Sequence, residues 1–397
     1  MKQSSGVIRD CFIFDQKYFC VKKSNQMQKS TAKIALIVAI IFLIAFLITT
    51  IQDMHQYAGL LLVLFFAALA MFFRGYELLK GYVFTIMIFA AVSASMYYPQ
   101  YFITVGDFKL SRLIIPLMQI IMFGMGTTLS VKDFAGVLKM PKGVLIGLVA
   151  QFSIMPFVGW SLTKIFTFPP EIAAGIILIG SCPSGLASNV MSYLARANVA
   201  LSVTLTAIAT LMAPLMTPML MQQLAGQYVE INFWGMVLDI TKIIIVPVGL
   251  GLIFNHFLHG KFKALDAIMP VISMAGIGLI IVVITSAGRD DLLVVGPLLI
   301  LACFIHNIMG YTLGFWAAKA LRMPERDCRT IALEVGLQNA GLGSGLALAM
   351  GKLSTVGLAP AIFSPIMNSS GSTLALWWRA RTKEEASEEQ AELSKSV

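Results

Sequence analysis

The sequence predicts an all-α membrane protein that crosses the bilayer many times. Of its 397 residues, 58% are hydrophobic and only 12% are charged, whereas a soluble domain carries about 25% charged residues. Long uncharged runs recur along the whole chain. These runs are continuous and do not alternate between polar and apolar residues, which argues against a β-barrel.

Twelve apolar segments are long enough to be transmembrane helices. The first, Ile34–Ile51, follows a polar and basic region, 1–33, that lacks the pattern of a cleaved signal peptide and predicts a cytoplasmic tail. The charged segment 383–397 predicts disorder. The twelve predicted spans are 34–51, 58–73, 81–98, 112–130, 143–166, 171–195, 199–225, 233–258, 268–287, 292–318, 327–350 and 355–379.

Basic residues predict the orientation of these spans. If the N-terminus lies inside, most of the 29 lysine and arginine residues fall in inside segments, even when the tails are left out. We therefore predict an even number of spans with both termini in the cytoplasm, and we expect a bacterial inner or plasma membrane. Loop lysines and arginines also explain the formal charge of +9, so we expect a lipid bilayer and no nucleic acid as partner.

One predicted span, 171–195, contains helix-breaking and polar residues in the stretch SCPSGLASNV. Pro183 removes a backbone donor and disfavours helical angles at the residue before it. Gly185 leaves helical angles at little steric cost. We predict two half-helices joined by an unwound turn.

A second span, 327–350, contains EVGLQNAGLGSG, in which Glu334 is followed by glycines at 341, 343 and 345. We predict that these glycines allow a second break. Unwound backbone cannot face lipid, because each unpaired group costs several kcal/mol there, so both breaks are expected to line an enclosed or wet cavity. The alternative is a structural kink, with glycines for close helix packing.

The two broken spans occupy equivalent places in the chain. Once the two N-terminal spans (34–79) are set aside, they are the fourth of the first five (80–228) and the fourth of the second five (229–382). Blocks with an odd number of spans enter the membrane from opposite sides. The order predicts a ten-helix inverted repeat with a site where the repeats meet, plus two extra transmembrane helices.

Glu334 favours a binding site over a kink. A charged carboxylate at mid-membrane costs about 2.5–3.5 kcal/mol on insertion scales, so it requires a cation, a proton or a buried partner. One carboxylate with neutral oxygens suits Na⁺, since Ca²⁺ sites usually have more carboxylates. For Ser202 and Thr206 the alternative is a hydrogen bond to their own helix, and for Gln151 it is an interhelical hydrogen bond. The candidate neutral residues are Gln151, Ser188, Asn189, Ser202, Thr206, Gln338 and Asn339.

The residues around these two spans resemble the bile acid:sodium symporter family. SCPSGLASNVMSYLARANVALSVTLTAIATLMAPLMTP is similar to its fourth and fifth helices and EVGLQNAGLGSGLALA to its ninth. IMFGMGTTL, GLVAQFSIMP and FIHNIMGYTLGFWAAK match further family segments in order. The resemblance covers about residues 80–382. It implies a panel and a core domain, with sodium-driven uptake of an organic anion by alternating access.

The resemblance also implies two sodium sites that share Glu334. Val335 and Leu337 are expected to contribute backbone carbonyls. The first set is Ser188, Asn189, Ser202, Thr206 and Glu334. The second set is Gln151, Glu334, Val335, Leu337 and Gln338.

For the substrate, the resemblance implies a cavity lined by Asn339, with Asn189 opposite it by pseudo-symmetry. Leu186 stands where relatives with the pattern PGGTASN have threonine, and Met367 stands where many have histidine. Both departures make the expected cavity less polar. The expected substrates are bile-acid-like anions or small carboxylates and sulfonates.

Other functions remain open at this point. Ser344 followed by Gly345 resembles intramembrane serine proteases, with His306 as the nearest candidate histidine. However, Leu342 stands where their glycine is expected, and no paired aspartates suit an aspartyl mechanism. A transport-derived sensor fits the extra N-terminal spans. A channel more often shows a repeated pore-lining ring. The leading prediction is a transporter and not an enzyme.

Overall fold

The computed structural model describes residues 31–76, 79–258 and 263–395. The described residues form two compact units, one ending at Tyr97 and one beginning at Tyr98. Nearly all of the predicted tail 1–33 lies outside the described residues. Within the described part of the chain, eight helices are long and apolar enough to cross a membrane. The prediction of an all-α, multi-pass membrane protein is confirmed.

The first unit consists of three apolar helices. On α1, alanines such as Ala35 and Ala39 are buried, whereas isoleucines such as Ile37 are exposed. Large exposed apolar side chains are those expected on a lipid-facing surface, and α2 packs along α3. The helices are α1 (Thr31–Ile51), α2 (His55–Arg74) and α3 (Val83–Tyr97), with a 3₁₀ turn at Lys80–Tyr82 before α3.

The second unit begins with a short helix and a two-stranded antiparallel hairpin, followed by the remaining helices. The hairpin turns at Gly106, whose φ of +57° favours glycine. These elements are α4 (Gln100–Ile103), β1 (Thr104–Val105), β2 (Phe108–Lys109), α5 (Ile114–Thr128), α6 (Val131–Lys139), α7 (Pro141–Ile165), α8 (Pro170–Ser181), α9 (Leu186–Leu194), α10 (Val199–Leu220), α11 (Phe233–Ile240), α12 (Val246–Leu258), α13 (Lys263–Ala287), α14 (Arg289–Ala320), α15 (Glu325–Gly336), α16 (Ala340–Ala349) and α17 (Leu358–Lys395).

Two helices of this unit, α8 and α15, are surrounded by protein. All residues of α8 from Ile172 to Ser181 are buried, and so are all residues of α15 from Cys328 to Gly336. α8 packs against α7 and α17, while α15 packs against α14, α7 and α10. The outer helices instead expose apolar side chains, for example Leu215 on α10. The two enclosed helices are the first halves of the spans predicted to be broken.

Most predicted spans match single helices, but the C-terminal region differs from the prediction. α17 continues to Lys395, whereas the sequence predicts disorder for 383–397. Alanine, glutamate, lysine and leucine dominate this segment and are strong helix formers, so the helix of the last span extends into it. Residues 396–397 lie outside the described residues.

Candidate functional site

The first broken span is interrupted where the sequence places its proline. α8 ends at Ser181, and Cys182 is extended (φ −74°, ψ 153°) because Pro183 excludes a helical conformation at the preceding residue. Gly185 is also extended, and α9 begins at Leu186. The prediction of two half-helices agrees with the structure here.

The second broken span is interrupted earlier than predicted. α15 ends at Gly336, and α16 begins at Ala340 after Asn339, whose side-chain oxygen caps the helix by accepting from the Leu342 N–H at 3.0 Å. The prediction that the glycine cluster makes the break is wrong. Asparagine is a strong N-cap residue, and its cap favours a new helix that begins at Ala340.

The glycines of this span lie inside α16, where they allow close packing. A Cβ added at Gly343 would come within 2.9 Å of Pro360, and one at Gly341 within 2.7 Å of the Met118 sulfur. Their role is therefore to admit neighbouring helices. In the sequence, glycines for packing and glycines for unwinding look alike.

The two unwound turns cross and pair with each other. The Gly185 N–H donates to the Leu337 carbonyl at 3.2 Å, and the Asn339 N–H donates to the Pro183 carbonyl at 2.8 Å. The turns thus form a one-residue antiparallel bridge between Ser184 and Gln338. This pairing satisfies backbone groups that the broken helices leave free, which is necessary in a buried, apolar setting.

Glu334, 2% exposed, lies beside this crossing and accepts hydrogen bonds from three hydroxyls. Ser202 on α10 donates to Oε1 at 2.5 Å, and Thr206, one turn later, lies 2.9 Å from Oε2. Ser184 donates to Oε2 at 2.6 Å. Within the described ranges, Glu334 forms no ion pair with a lysine or arginine.

Asn189 adds a second acceptor to this group of side chains. We call the group the carboxylate cluster; it consists of Ser184, Ser188, Asn189, Ser202, Thr206 and Glu334. Its Oδ1 lies 2.8 Å from the Ser202 hydroxyl and 3.3 Å from the Thr206 hydroxyl. Each of these hydroxyls carries one hydrogen and lies within hydrogen-bonding distance of both Asn189 and Glu334, so it can donate to only one of them. Ser188 lies 3.2 Å from Thr206 and donates to the Gly185 carbonyl. Neutral oxygens with one carboxylate are the donors that a hard monovalent cation prefers.

A second group, the amide cluster, joins α7 to the same crossing. The Gln151 Nε2 donates to the Cys182 carbonyl at 3.0 Å and to the Gln338 Oε1 at 2.9 Å. Gln338 in turn donates to the Val335 carbonyl at 2.6 Å. Because both neighbours of the Gln151 Nε2 are acceptors, the amide has a single consistent orientation.

That orientation leaves the Gln151 Oε1 without a hydrogen-bond partner among the described residues, although the side chain is only 2% exposed. A buried acceptor without a partner costs about 1–3 kcal/mol. A cation beside Gln151 would supply that partner. The orphan oxygen thus fits the second predicted sodium set, in which Leu337 also takes part; its carbonyl accepts from Gly185.

The predicted substrate residues are less closely grouped. Asn189 belongs to the carboxylate cluster, and Asn339 is 6% exposed at the start of α16. Leu186 is half-buried at the start of α9. Met367 is 5% exposed on α17, and its carbonyl accepts from the Tyr311 hydroxyl at 3.1 Å. The polar contacts of the described residues do not join Leu186 or Met367 to either cluster.

A cavity of about 380 Å³ lies at the far end of α16 from the crossing. It is lined by Asn232 and Asp239 on one side and by Leu346, Met350 and Lys352 on the other. None of the predicted substrate residues lines it. Since α16 has ten residues, roughly 15 Å separates its two ends.

The residues considered for a serine protease do not form a catalytic pair. The Ser344 hydroxyl donates to the Ala340 carbonyl of its own helix at 2.9 Å. The His306 Nε2 lies 2.8 Å from the Met155 carbonyl. Both are therefore engaged in helix contacts.

Two participants at the crossing were missed from the sequence: the Ser184 hydroxyl and the Cys182 carbonyl. The sequence marks Ser184 only as part of a helix break. Its contact with Glu334 joins residues far apart in the chain, so the sequence does not predict it. The one signal available was its position directly after Pro183, where a side chain leaves the helical surface. Every residue has a backbone carbonyl, so the sequence does not indicate that the Cys182 carbonyl takes part.

Comparison with known proteins identifies the family to which this chain is similar. A sequence model of the Sodium Bile acid symporter family matches residues 115–294. An uncharacterized sodium-dependent transporter of Bacillus subtilis (strain 168), YocS, is 38% identical over 275 residues, which cover 69% of this chain and 85% of the relative.

Two further relatives come from plants and animals. The probable chloroplastic sodium/metabolite cotransporter BASS1 of Arabidopsis thaliana is 34% identical over 262 residues, covering 66% of this chain and 65% of the relative. The ileal sodium/bile acid cotransporter of Homo sapiens is 31% identical over 266 residues, covering 64% of this chain and 75% of the relative. All three relatives bear the names of sodium-dependent transporters or cotransporters.

Proposed function

The chain belongs to the sodium bile acid symporter family and is a sodium-coupled transporter, not an enzyme, and from this premise we propose that it carries an organic anion together with sodium by alternating access. The proposal places two sodium ions at the crossing. The first is held by the carboxylate cluster and the second by the amide cluster, with Glu334 shared between them.

The observation that carries this proposal is the buried carboxylate among neutral oxygens. Glu334 has no basic partner in an ion pair within the described residues. Hydroxyls of α10 contact it, and the Asn189 amide of α9 contacts those hydroxyls. Sodium at this point compensates the charge of the carboxylate. The unpartnered Gln151 Oε1 supports the second site independently.

An anionic substrate fits the electrostatics of the two second half-helices. α9 and α16 both begin at the crossing, and a helix N-terminus carries partial positive charge that favours anions. The proposed contacts are Asn189 and Asn339 for the polar head, with Leu186 and Met367 against an apolar body. The relatives' names, which include a bile acid cotransporter and a metabolite cotransporter, support this class of substrate.

Alternating access is proposed from the symmetry of the crossing. The hydrogen bonds of Gly185 and Asn339 across the crossing are reciprocal, which supports an inverted repeat of 80–228 and 229–382. In the predicted orientation, with both termini in the cytoplasm of a bacterial cell, the cavity beside α16 opens to the outside. Substrate would enter this cavity before the core domain that the family resemblance implies moves relative to the panel domain.

Coupling to two sodium ions makes transport of a monoanion electrogenic. One net positive charge moves inward per cycle, and a membrane potential of 100 mV adds about 2.3 kcal/mol of drive per charge. The transport cycle therefore draws on both the sodium gradient and the potential.

The test is uptake by proteoliposomes that contain the purified full-length protein. An inward sodium gradient should drive accumulation of at least one member of a panel of labelled bile acids, small carboxylates and sulfonates. A potassium-diffusion potential, negative inside, should increase the rate. Absence of sodium-dependent uptake across the panel, together with absence of sodium-dependent stabilisation of the protein, would overturn the proposal.

A further inference from the structure

Ser184 lies in the unwound turn between α8 and α9 and is 1% exposed. Its hydroxyl donates to Glu334 Oε2 at 2.6 Å, and its backbone forms the bridge with Gln338. It therefore touches the residue that both proposed sodium sites share, and it pairs with a residue of the amide cluster.

The stretch PSGLASN carries a hydroxyl at Ser184, directly after the proline, and an apolar side chain at Leu186. The Ser184 hydroxyl faces the carboxylate, while Leu186 is the position expected beside the substrate.

The chemistry of a hydroxyl lets Ser184 serve a cation without giving up its contact with Glu334. A serine hydroxyl has one hydrogen and two acceptor lone pairs. The hydrogen is directed to Oε2, so the lone pairs remain available to a cation that Glu334 binds. The Thr206 oxygen lies 3.5 Å from the Ser184 oxygen, which places both next to the same carboxylate.

The bridge between the turns does not depend on the Ser184 side chain. It is held by backbone hydrogen bonds from Gly185 and Asn339, and neither involves the Ser184 hydroxyl. A glycine at this position would keep both bonds. The shortest contact of the hydroxyl is instead with Glu334, the carboxylate of the proposed site.

We propose that Ser184 is an additional oxygen ligand of the sodium bound at Glu334, and that its hydroxyl raises the sodium affinity above that of a chain with glycine at this position. The proposal rests on the sodium site put forward under Proposed function. It assigns cation affinity to Ser184 and leaves substrate choice to Leu186.

The experiment compares Ser184→Gly and Ser184→Ala with the unaltered protein. Purified full-length protein is titrated with sodium chloride against choline chloride at constant ionic strength, and thermal unfolding is followed. Both variants should require on the order of tenfold more sodium for half-maximal stabilisation, the loss expected for one oxygen contact to a charged centre. The matched control is Ser181→Ala, whose buried hydroxyl donates to the Ile177 carbonyl of its own helix at 2.8 Å; its sodium titration should not move.

Lithium titration separates a ligand from a general contribution to stability. Loss of a ligand changes the ratio of half-saturating lithium and sodium concentrations, whereas a uniform loss of stability does not. An unchanged sodium titration in both variants would overturn the role of Ser184 and leave the sodium site standing. If the unaltered protein itself does not respond to sodium, the site and this inference fail together.

Discussion

The carboxylate cluster and the amide cluster share one crossing but differ in how their oxygens are satisfied. Around Glu334, hydroxyls of Ser184, Ser202 and Thr206 surround the carboxylate. In the amide cluster, the Gln151 Oε1 is buried without a partner. One cluster contains a carboxyl group, which can carry a formal charge, and the other contains only amide dipoles. Loss of the charge should therefore abolish cation binding, and loss of a dipole should only weaken it.

The largest effect is expected for Glu334→Ala. Without the carboxylate, neutral oxygens alone do not compensate a buried cation, so both sodium-dependent stabilisation and sodium-driven uptake should fall to background. Thermal unfolding with and without sodium, and uptake by proteoliposomes, measure the two losses. Asp290→Ala is the control, since this side chain is 96% exposed. Full sodium dependence in Glu334→Ala would place the site elsewhere.

A smaller effect is expected for Gln151→Ala. The change removes one neutral oxygen and should raise the half-saturating sodium concentration on the order of tenfold, while the protein still folds. Gln119→Ala serves as the control, because the Gln119 amide is exposed and donates to the Lys242 carbonyl at 3.2 Å. An identical sodium titration for Gln151→Ala would remove this residue from the site.

Leu186→Thr should alter substrate preference while leaving sodium affinity within about twofold. It places a hydroxyl where related sequences have one, which should shift competition toward more polar anions by about 10–100-fold, the range for one hydroxyl in an apolar pocket. Competition against a labelled substrate measures the shift. Val190→Thr, on the same helix and 55% exposed, is the matched control. The same competition profile in both variants would show that Leu186 does not contact substrate.

The smallest effect concerns Glu325, which lies just outside a predicted span. A hydrogen bond from Arg329 lowers the pKa of this carboxyl below its usual value. A lowered folded-state pKa stabilises the protein above the unfolded pKa and loses that contribution as pH falls through the folded value. Because Glu325 is 44% exposed, Glu325→Gln should cost less than about 1 kcal/mol at neutral pH. Melting curves of both proteins should converge in acid; a constant difference at every pH would contradict this pairing.

Much of the site was predictable because polar and helix-breaking residues stand out in an apolar chain. Pro183 placed the first break correctly. Ser202 and Thr206 contact Glu334, and Asn189 and Ser188 contact those hydroxyls; that these residues bind sodium stays a prediction. These signals depend on residue type and on spacing within one helix. Residue type and spacing can both be identified from the sequence without knowledge of the fold.

The features that escaped prediction depend on contacts between distant segments. The bridge between Ser184 and Gln338 forms only because two turns cross, so the sequence of neither turn predicts it. The second break follows Gly336 and ends at the Asn339 cap, before the glycines of α16. From the sequence alone, either the asparagine or the glycines could explain a break in this stretch. The orphan oxygen of Gln151 likewise arises from where its two acceptors lie.

Equilibrium binding of radiolabelled sodium to the purified full-length protein and to Glu334→Ala addresses the crossing most directly. Because Glu334 is shared by both proposed sites, the unaltered protein should bind two ions per chain and Glu334→Ala should bind none, while Gln151→Ala keeps one at moderate sodium concentration. Two ions still bound by Glu334→Ala would contradict the placement of sodium at the crossing of the two broken helices.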